Sequence, residues 1–435
     1  MDVREQMRRI PDFDRFPSVD EMHAELDEIA ARHPGLVRLR RIGTSRLGEP
    51  LRVLTVGDGP RDALVIGGPH PNEPIGSLTA GQLAWRLCED AGLREELGYR
   101  WHLIPCVDPD GARLNEGWYA APGDRRRYAR HFYRPAWADQ VEWTFPLTGD
   151  GYTFDRTLPE TEALIGVMDE VRPAFVYSLH NGEYSGAYYY INRDDTVLAA
   201  RLTELPGLEG IPLHHGEPEL PGATLIAPAV YRSPGGARQA EIFGAGGGSA
   251  DYAARFGALH LITELPYWAD ARVADTTPTS TPYGDVLKAG LSAQRDLIDT
   301  LRPAMDAVRR DLTVRSPFRR SAEDMFDTYR KFGDEWEGLP GADRPATVAE
   351  RFGNRQTLHM RRLRFAGTFC RMLDAEAAAG NLTLAVRRER ARVRELFEGW
   401  CDEAEEESGG RPIPLRGLVA VQLAAALVAA EHART

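Results

Sequence analysis

Residues 63–74 read Ala63-Leu64-Val65-Ile66-Gly67-Gly68-Pro69-His70-Pro71-Asn72-Glu73-Pro74. An apolar run stopped by two glycines describes a strand covered on both faces, as in a parallel sheet sandwiched by helices. His70 and Glu73 follow at i and i+3, a spacing that puts two side chains on one face of a helical turn. An imidazole and a carboxylate at the carboxyl end of such a strand make half of a zinc site. Catalytic zinc commonly takes three protein ligands, often two His and one Glu, and keeps a fourth position open. Read alone, the motif fits a surface loop as well as it fits a ligand pair.

Outward from this strand the chain alternates. Residues 19–32 carry Met22, Leu26, Ile29 and Ala30 at helical spacing and end at Pro34-Gly35. Strands are expected over 36–42 and 51–56, joined in a hairpin, and then over 63–68, 99–107, 174–180, 187–191 and 259–263. Helices are expected over 76–90, 160–171, 196–204 and 285–308. The pattern predicts an α/β fold, a mixed and mostly parallel sheet with helices on both faces. Two stretches, 111–155 and 206–249, read as long loops. After residue 312 the sequence turns charged and helical, with helices expected over 321–332, 345–379, 382–408 and 416–433. The expected organisation is a catalytic domain over 1–312, a linker over 313–320, and an all-α C-terminal region within 313–435.

Composition narrows the class. The 435 residues are 43% hydrophobic and 27% charged, which fits a globular chain and excludes wholesale disorder. The formal charge of −12 opposes a nucleic-acid partner. The four cysteines, at 88, 106, 370 and 401, have neither metal-finger spacing nor a disulfide pattern. No signal peptide is legible at the start, and the longest apolar run, 417–430, is shorter than the roughly 20 residues that span a bilayer. The expectation is a cytoplasmic protein with no membrane partner.

Two further segments carry chemistry. Phe175-Val176-Tyr177-Ser178-Leu179-His180-Asn181-Gly182 is an apolar strand that ends in a histidine, where ligands collect in α/β sheets. Alone, His180 is as readily a packed core histidine; beside His70 and Glu73 it completes a ligand set. Glu183 is a candidate to orient a ligand or a solvent-exposed acid. In Leu261-Ile262-Thr263-Glu264-Leu265-Pro266 a carboxylate sits in a buried strand, costly unless paired or functional. Beside water activated by a metal ion it would serve as general base; the alternative is a pair with one of the many arginines.

These blocks resemble the zinc carboxypeptidase family, whose signature is His-x-x-Glu, a distant His, and a Glu in a late strand. The resemblance covers roughly residues 16–300. It includes Ile42-Gly-Thr-Ser-Arg-Leu-Gly-Glu-Pro-Leu, similar to the family's hairpin, Pro105-Cys-Val-Asp-Pro-Asp-Gly, similar to its turn, and Pro159-Glu-Thr-Glu-Ala-Leu, similar to a helix start. It implies that His70, Glu73 and His180 bind one Zn2+ per chain and that Glu264 is the catalytic glutamate. Departures are equally specific. Where the family carries an Asn-Arg pair that clamps a terminal carboxylate, this chain resembles it only with Glu142 and Trp143, and a mobile tyrosine would fall at Phe243. Among the arginines of the long loop, Arg113 and Arg134 are the candidates to steady an oxyanion, and Trp143 and Phe243 join them as candidate substrate contacts.

Together these residues describe a zinc-dependent hydrolase of a peptide or amide bond in a small peptide or modified amino acid. An N-acyl amino acid deacylase of the same fold, or a binding protein that kept the fold without turnover, are the alternatives. The C-terminal helices are expected to shape or cover the site, or to pair two copies of the chain.

Overall fold

The computed structural model describes residues 1–149, 151–220, 222–335 and 343–434. Its centre is a nine-stranded mixed sheet. In chain order the strands are β1 (Val37–Thr44), β2 (Pro50–Val56), β3 (Arg61–Ile66), β4 (Tyr99–Ile104), β5 (Phe175–His180), β6 (Tyr188–Ile191), β7 (Thr224–Ala227), β8 (Val230–Arg232) and β9 (Leu259–Glu264). In space they run β1-β2-β4-β3-β5-β9-β6-β8-β7. The middle of the sheet, β4-β3-β5-β9, is parallel. The β1–β2 hairpin and the pairing of β9 with β6 are antiparallel.

Alternation along each central strand sends side chains into two separate cores. Ala63 and Val65 of β3, with Phe175, Tyr177 and Leu179 of β5, join the core on one face. Leu64 and Ile66, with Val176, join Leu164, Val167 and Met168 on the other. This period of two is why both strands read as continuous apolar runs. Gly67 ends β3 where a side chain could not: a Cβ there would lie 2.3 Å from the carbonyl oxygen of Pro105.

The helices that frame the sheet and the site are α1 (Val19–Arg32), α2 (Ile75–Glu89), α3 (Pro109–Tyr119), α4 (Arg125–His131), α5 (Pro159–Val171), α6 (Tyr283–Val308), α7 (Pro317–Glu335), α8 (Val348–Ala378), α9 (Leu384–Glu407) and α10 (Leu415–His432). Ser18 and Glu21 close a capping box at the start of α1. The stretch expected as a loop over 111–155 instead holds most of α3 and all of α4. Both are short helices set by caps: Asp108 accepts from Gly111 N with Pro109 at the first turn, and Asp124 accepts from Arg127 N. The second expected loop, 206–249, contains β7, β8 and a helix over Ala237–Phe243. Asp150 and Pro221, inside these stretches, lie outside the described residues. The expected linker over 313–320 already contains the first turn of α7, opened by Pro317.

Residues on both sides of position 312 share one hydrophobic core. Helix α10 is long and apolar enough to cross a membrane by composition, yet it is buried within the molecule. It packs beside α2 over the sheet, with Thr79 Oγ1 donating to Gln422 Oε1 at 2.8 Å and Tyr177 Oη donating to the Gln422 carbonyl at 3.1 Å.

Candidate active site

Three strand ends meet at one point. His70 and Glu73 occupy the turn between β3 and α2, closed by the Glu73 N–H donating to the His70 carbonyl at 3.0 Å. His180 is the last residue of β5 and Glu264 the last of β9, and the two are direct partners in the parallel register. Gly76 lets α2 begin close to the sheet, since a Cβ there would come within 2.6 Å of Leu179 Cβ.

All four side chains are buried. Ligand atoms of His70, Glu73 and His180 lie within 4.8 Å of one another. His180 Nδ1 is 3.1 Å from Glu73 Oε2 and 3.8 Å from Glu264 Oε1, while its Nε2 is 2.9 Å from Ser178 Oγ. With Nε2–H donating to Ser178, Nδ1 keeps its lone pair on the side of the carboxylates. Two buried atoms of the group have no hydrogen-bond partner, His70 Nδ1 and Glu264 Oε2. Buried polar atoms are rarely left so. Two imidazoles and one carboxylate at this spacing, with His70 Nδ1 left unpartnered, fit a zinc ion. Burial drives His70 well below the usual imidazole range, with Arg134 adding to the effect. A neutral imidazole is the form that binds metal. Burial also lifts the Glu264 carboxyl well above the usual carboxylate range, and the Glu73 charge lifts it further.

The group opens into a cavity of about 290 Å³. Arg134 lines it, with Nη2 3.2 Å from Glu73 Oε1 and Nε donating to Gln140 Oε1 at 3.3 Å. Trp143 lines it too, stacked on Trp137 at 5.5 Å with planes 12° apart. Phe243 packs on Trp137, with ring centroids 4.3 Å apart, and does not form the cavity wall. Arg113 is not brought to the cavity. Its guanidinium is bonded to Glu49, in the β1–β2 connection, and to Asp20 of α1 at 2.8 Å. Those two carboxylates hold it outside the cleft, which corrects the expectation made for it.

The sequence reading missed several wall residues. The C-terminal helices contribute Met325 and Tyr329 from α7 and Arg361 and Arg364 from α8. Arg364 Nη2 lies 2.6 Å from Glu183 Oε1, and the Tyr128 hydroxyl donates to the same oxygen. Glu183 is therefore buried in a polar cluster rather than exposed to solvent. Glu142 is buried as well. Its Oε1 accepts from Ser249 N at 3.0 Å and from Ser249 Oγ at 2.7 Å, and that hydroxyl lies 3.0 Å from His260 Nε2. Burial and the neighbouring His180 push His260 down to about 3, so it stays neutral. No local pattern distinguishes Arg361 or Arg364 among so many helical arginines; only the packing of α8 over the sheet end selects them.

A family model described as zinc carboxypeptidase matches residues 22–267. Carboxypeptidase B of Astacus astacus is 26% identical over 105 residues, 23% of this chain and 35% of that protein. Zinc carboxypeptidase A 1 of Anopheles gambiae is 30% identical over 105 residues, 23% of this chain and 24% of its own. The chain thus spans about a quarter to a third of the length of these two curated relatives. Among solved structures, carboxypeptidase A from Helicoverpa armigera aligns over 59% of this chain and 66% of its own, at 17% identity and a TM-score of 0.41.

Proposed function

The chain belongs to the zinc carboxypeptidase family, and from that premise we propose that it is a zinc-dependent hydrolase of a peptide or amide bond in a small peptide or modified amino acid. The observation that carries this reading is the register pairing of His180 with Glu264 beside His70 and Glu73. His70, Glu73 and His180 would hold the ion. When bound, zinc supplies Lewis acidity toward a carbonyl oxygen and toward water. Glu264, carried on the adjacent strand end, takes the proton of the attacking water and delivers it to the leaving nitrogen. Arg134, whose Nη2 lies 3.2 Å from Glu73 Oε1 in the cavity wall, supplies positive charge to the oxyanion. Met325, Tyr329 and the arginines of α8 wall the cavity, and about 290 Å³ admits a small molecule rather than a folded chain.

The test is metal content together with turnover. Protein reconstituted with zinc should hydrolyse members of a panel of N-acyl amino acids and dipeptides, and Glu264→Gln should keep its zinc but lose turnover. Zinc bound with no cleavage by the native chain across that panel favours the binding-protein alternative. Unchanged turnover in Glu264→Gln removes the proposed base.

A further inference from the structure

Glu142 is a buried carboxylate, 3% exposed, in the cavity wall. Its partners are the N–H and hydroxyl of Ser249, at 3.0 and 2.7 Å, both of which favour a charged acceptor. The hydroxyl in turn receives from His260, whose neutral ring offers no charge. Among the described residues no arginine, lysine or histidine forms an ion pair with Glu142. Two of the cavity's arginines are committed elsewhere, Arg134 to Glu73 and Arg364 to Glu183. Burial lifts the Glu142 carboxyl above the usual carboxylate range, while the neighbouring His180 and the two Ser249 bonds oppose the shift; a carboxylate removed from water is costly, and such groups are ordinarily paired with a cation. The Trp143 ring reaches the same point of the wall, since a Cβ on Gly248 would lie 3.3 Å from both Glu142 Oε1 and Trp143 Cζ3, and the indole is backed by Trp137 in a parallel stack. A carboxylate and an indole on one wall of a cavity make an environment that favours an ammonium or guanidinium over a neutral or anionic group.

We propose that Glu142 and Trp143 form a subsite for a cationic group on the substrate. This proposal rests on the hydrolase reading and deepens it, assigning to the substrate an amide whose far end carries an ammonium or guanidinium. The cation would pair with Glu142 and lie against Trp143 while the scissile bond sits at the His70, Glu73 and His180 group. The same carboxylate would repel a substrate carboxylate, so negatively charged ends are excluded from this subsite.

The experiment is binding, without turnover. Zinc-free protein is titrated calorimetrically with Nα-acetyl-lysinamide and with Nα-acetylnorleucinamide, a neutral compound of nearly the same shape. The lysine compound should bind roughly tenfold more tightly, the scale of one charge-assisted contact, and the gap should shrink as salt rises. In Glu142→Gln, which can keep the Ser249 bonds, the two affinities should converge. Trp143→Leu should weaken the lysine compound more than the norleucine compound. Equal affinities in the native chain, no binding of either compound, or a preference that survives Glu142→Gln each overturn the proposal. The native comparison decides by itself if the variant does not fold. A cation preference without hydrolysis leaves this subsite standing and removes only the hydrolase reading; hydrolysis without a cation preference does the reverse.

Discussion

The side-chain amide of Gln422 donates a hydrogen bond of 2.9 Å to the main-chain carbonyl of His180. The last helix of the chain thereby holds the strand end that presents the candidate ligand. The same amide oxygen accepts from Thr79 of α2, so one buried glutamine ties three elements together.

Replacing Gln422 by Leu leaves the His180 carbonyl and the Thr79 hydroxyl without those partners. Buried groups left in that state cost about 1–3 kcal/mol each. We expect the variant to lose stability on that scale, measured by denaturant unfolding at fixed temperature. A chain ended before α10 should fail to fold, because it uncovers the apolar face of α2. A soluble, cooperatively unfolding truncated chain would contradict this.

Metal removal should separate ligands from base. His70→Ala and His180→Ala are expected to lower zinc from about one per chain toward none, as read by elemental analysis. Glu264→Gln should retain zinc and lower kcat by roughly 10²–10⁴. Arg134→Ala should retain zinc and lower kcat by roughly 10²–10³, the scale of one lost oxyanion contact. Loss of zinc in Glu264→Gln would place that residue among the ligands instead.

Arg364 and Glu183 form a buried pair joining α8 to the loop after β5. Removing one member of such a pair strands the other charge, at a cost of about 3–5 kcal/mol. Arg364→Ala should therefore unfold at markedly lower denaturant, while Arg113→Ala, whose pairs with Glu49 and Asp20 are partly exposed, should change stability by no more than roughly 1 kcal/mol. Comparable losses in the two variants would refute this contrast.

Glu407 at the end of α9 is bonded to Arg355 and, at 2.9 Å, to His359, both on α8. Arg355 foremost, and then His359, pull its carboxyl down to about 2. A carboxyl depressed in the folded state adds stability above its unfolded pKa of about 4.3, and that stability is lost as pH falls through the folded value. The stability difference between the native chain and Glu407→Gln should hold near about pH 6 and shrink toward about pH 3. A difference that grows on acidification would show that the carboxylate is not held in this way.

Much of the fold is legible in the sequence because its signals are local. The apolar runs at 63–66 and 175–179 mark the central strands, since a strand covered on both faces has no polar side to interrupt it. Helix α1 shows its Ser18–Glu21 cap, α5 the proline that opens it, and both an apolar spacing. The helices α3 and α4 read as loop, because seven to eleven residues set by a single aspartate cap leave too short a period to see. The spacing of His70 and Glu73 is likewise visible as a ligand pattern, and His180 and Glu264 as polar residues closing apolar strands.

The alternation of strands and helices and the residue types at the strand ends are thus written in the linear chain, because periodicity and turn chemistry are properties of neighbours along it. Three-dimensional packing alone sets Glu264 beside His180, brings Arg134 and not Arg113 to the cavity, and closes α8 and α10 over the sheet end. Register between distant strands, and the choice of one carboxylate by a long guanidinium arm, depend on which surfaces meet when the cores on the two faces of the sheet pack, and no local pattern encodes that.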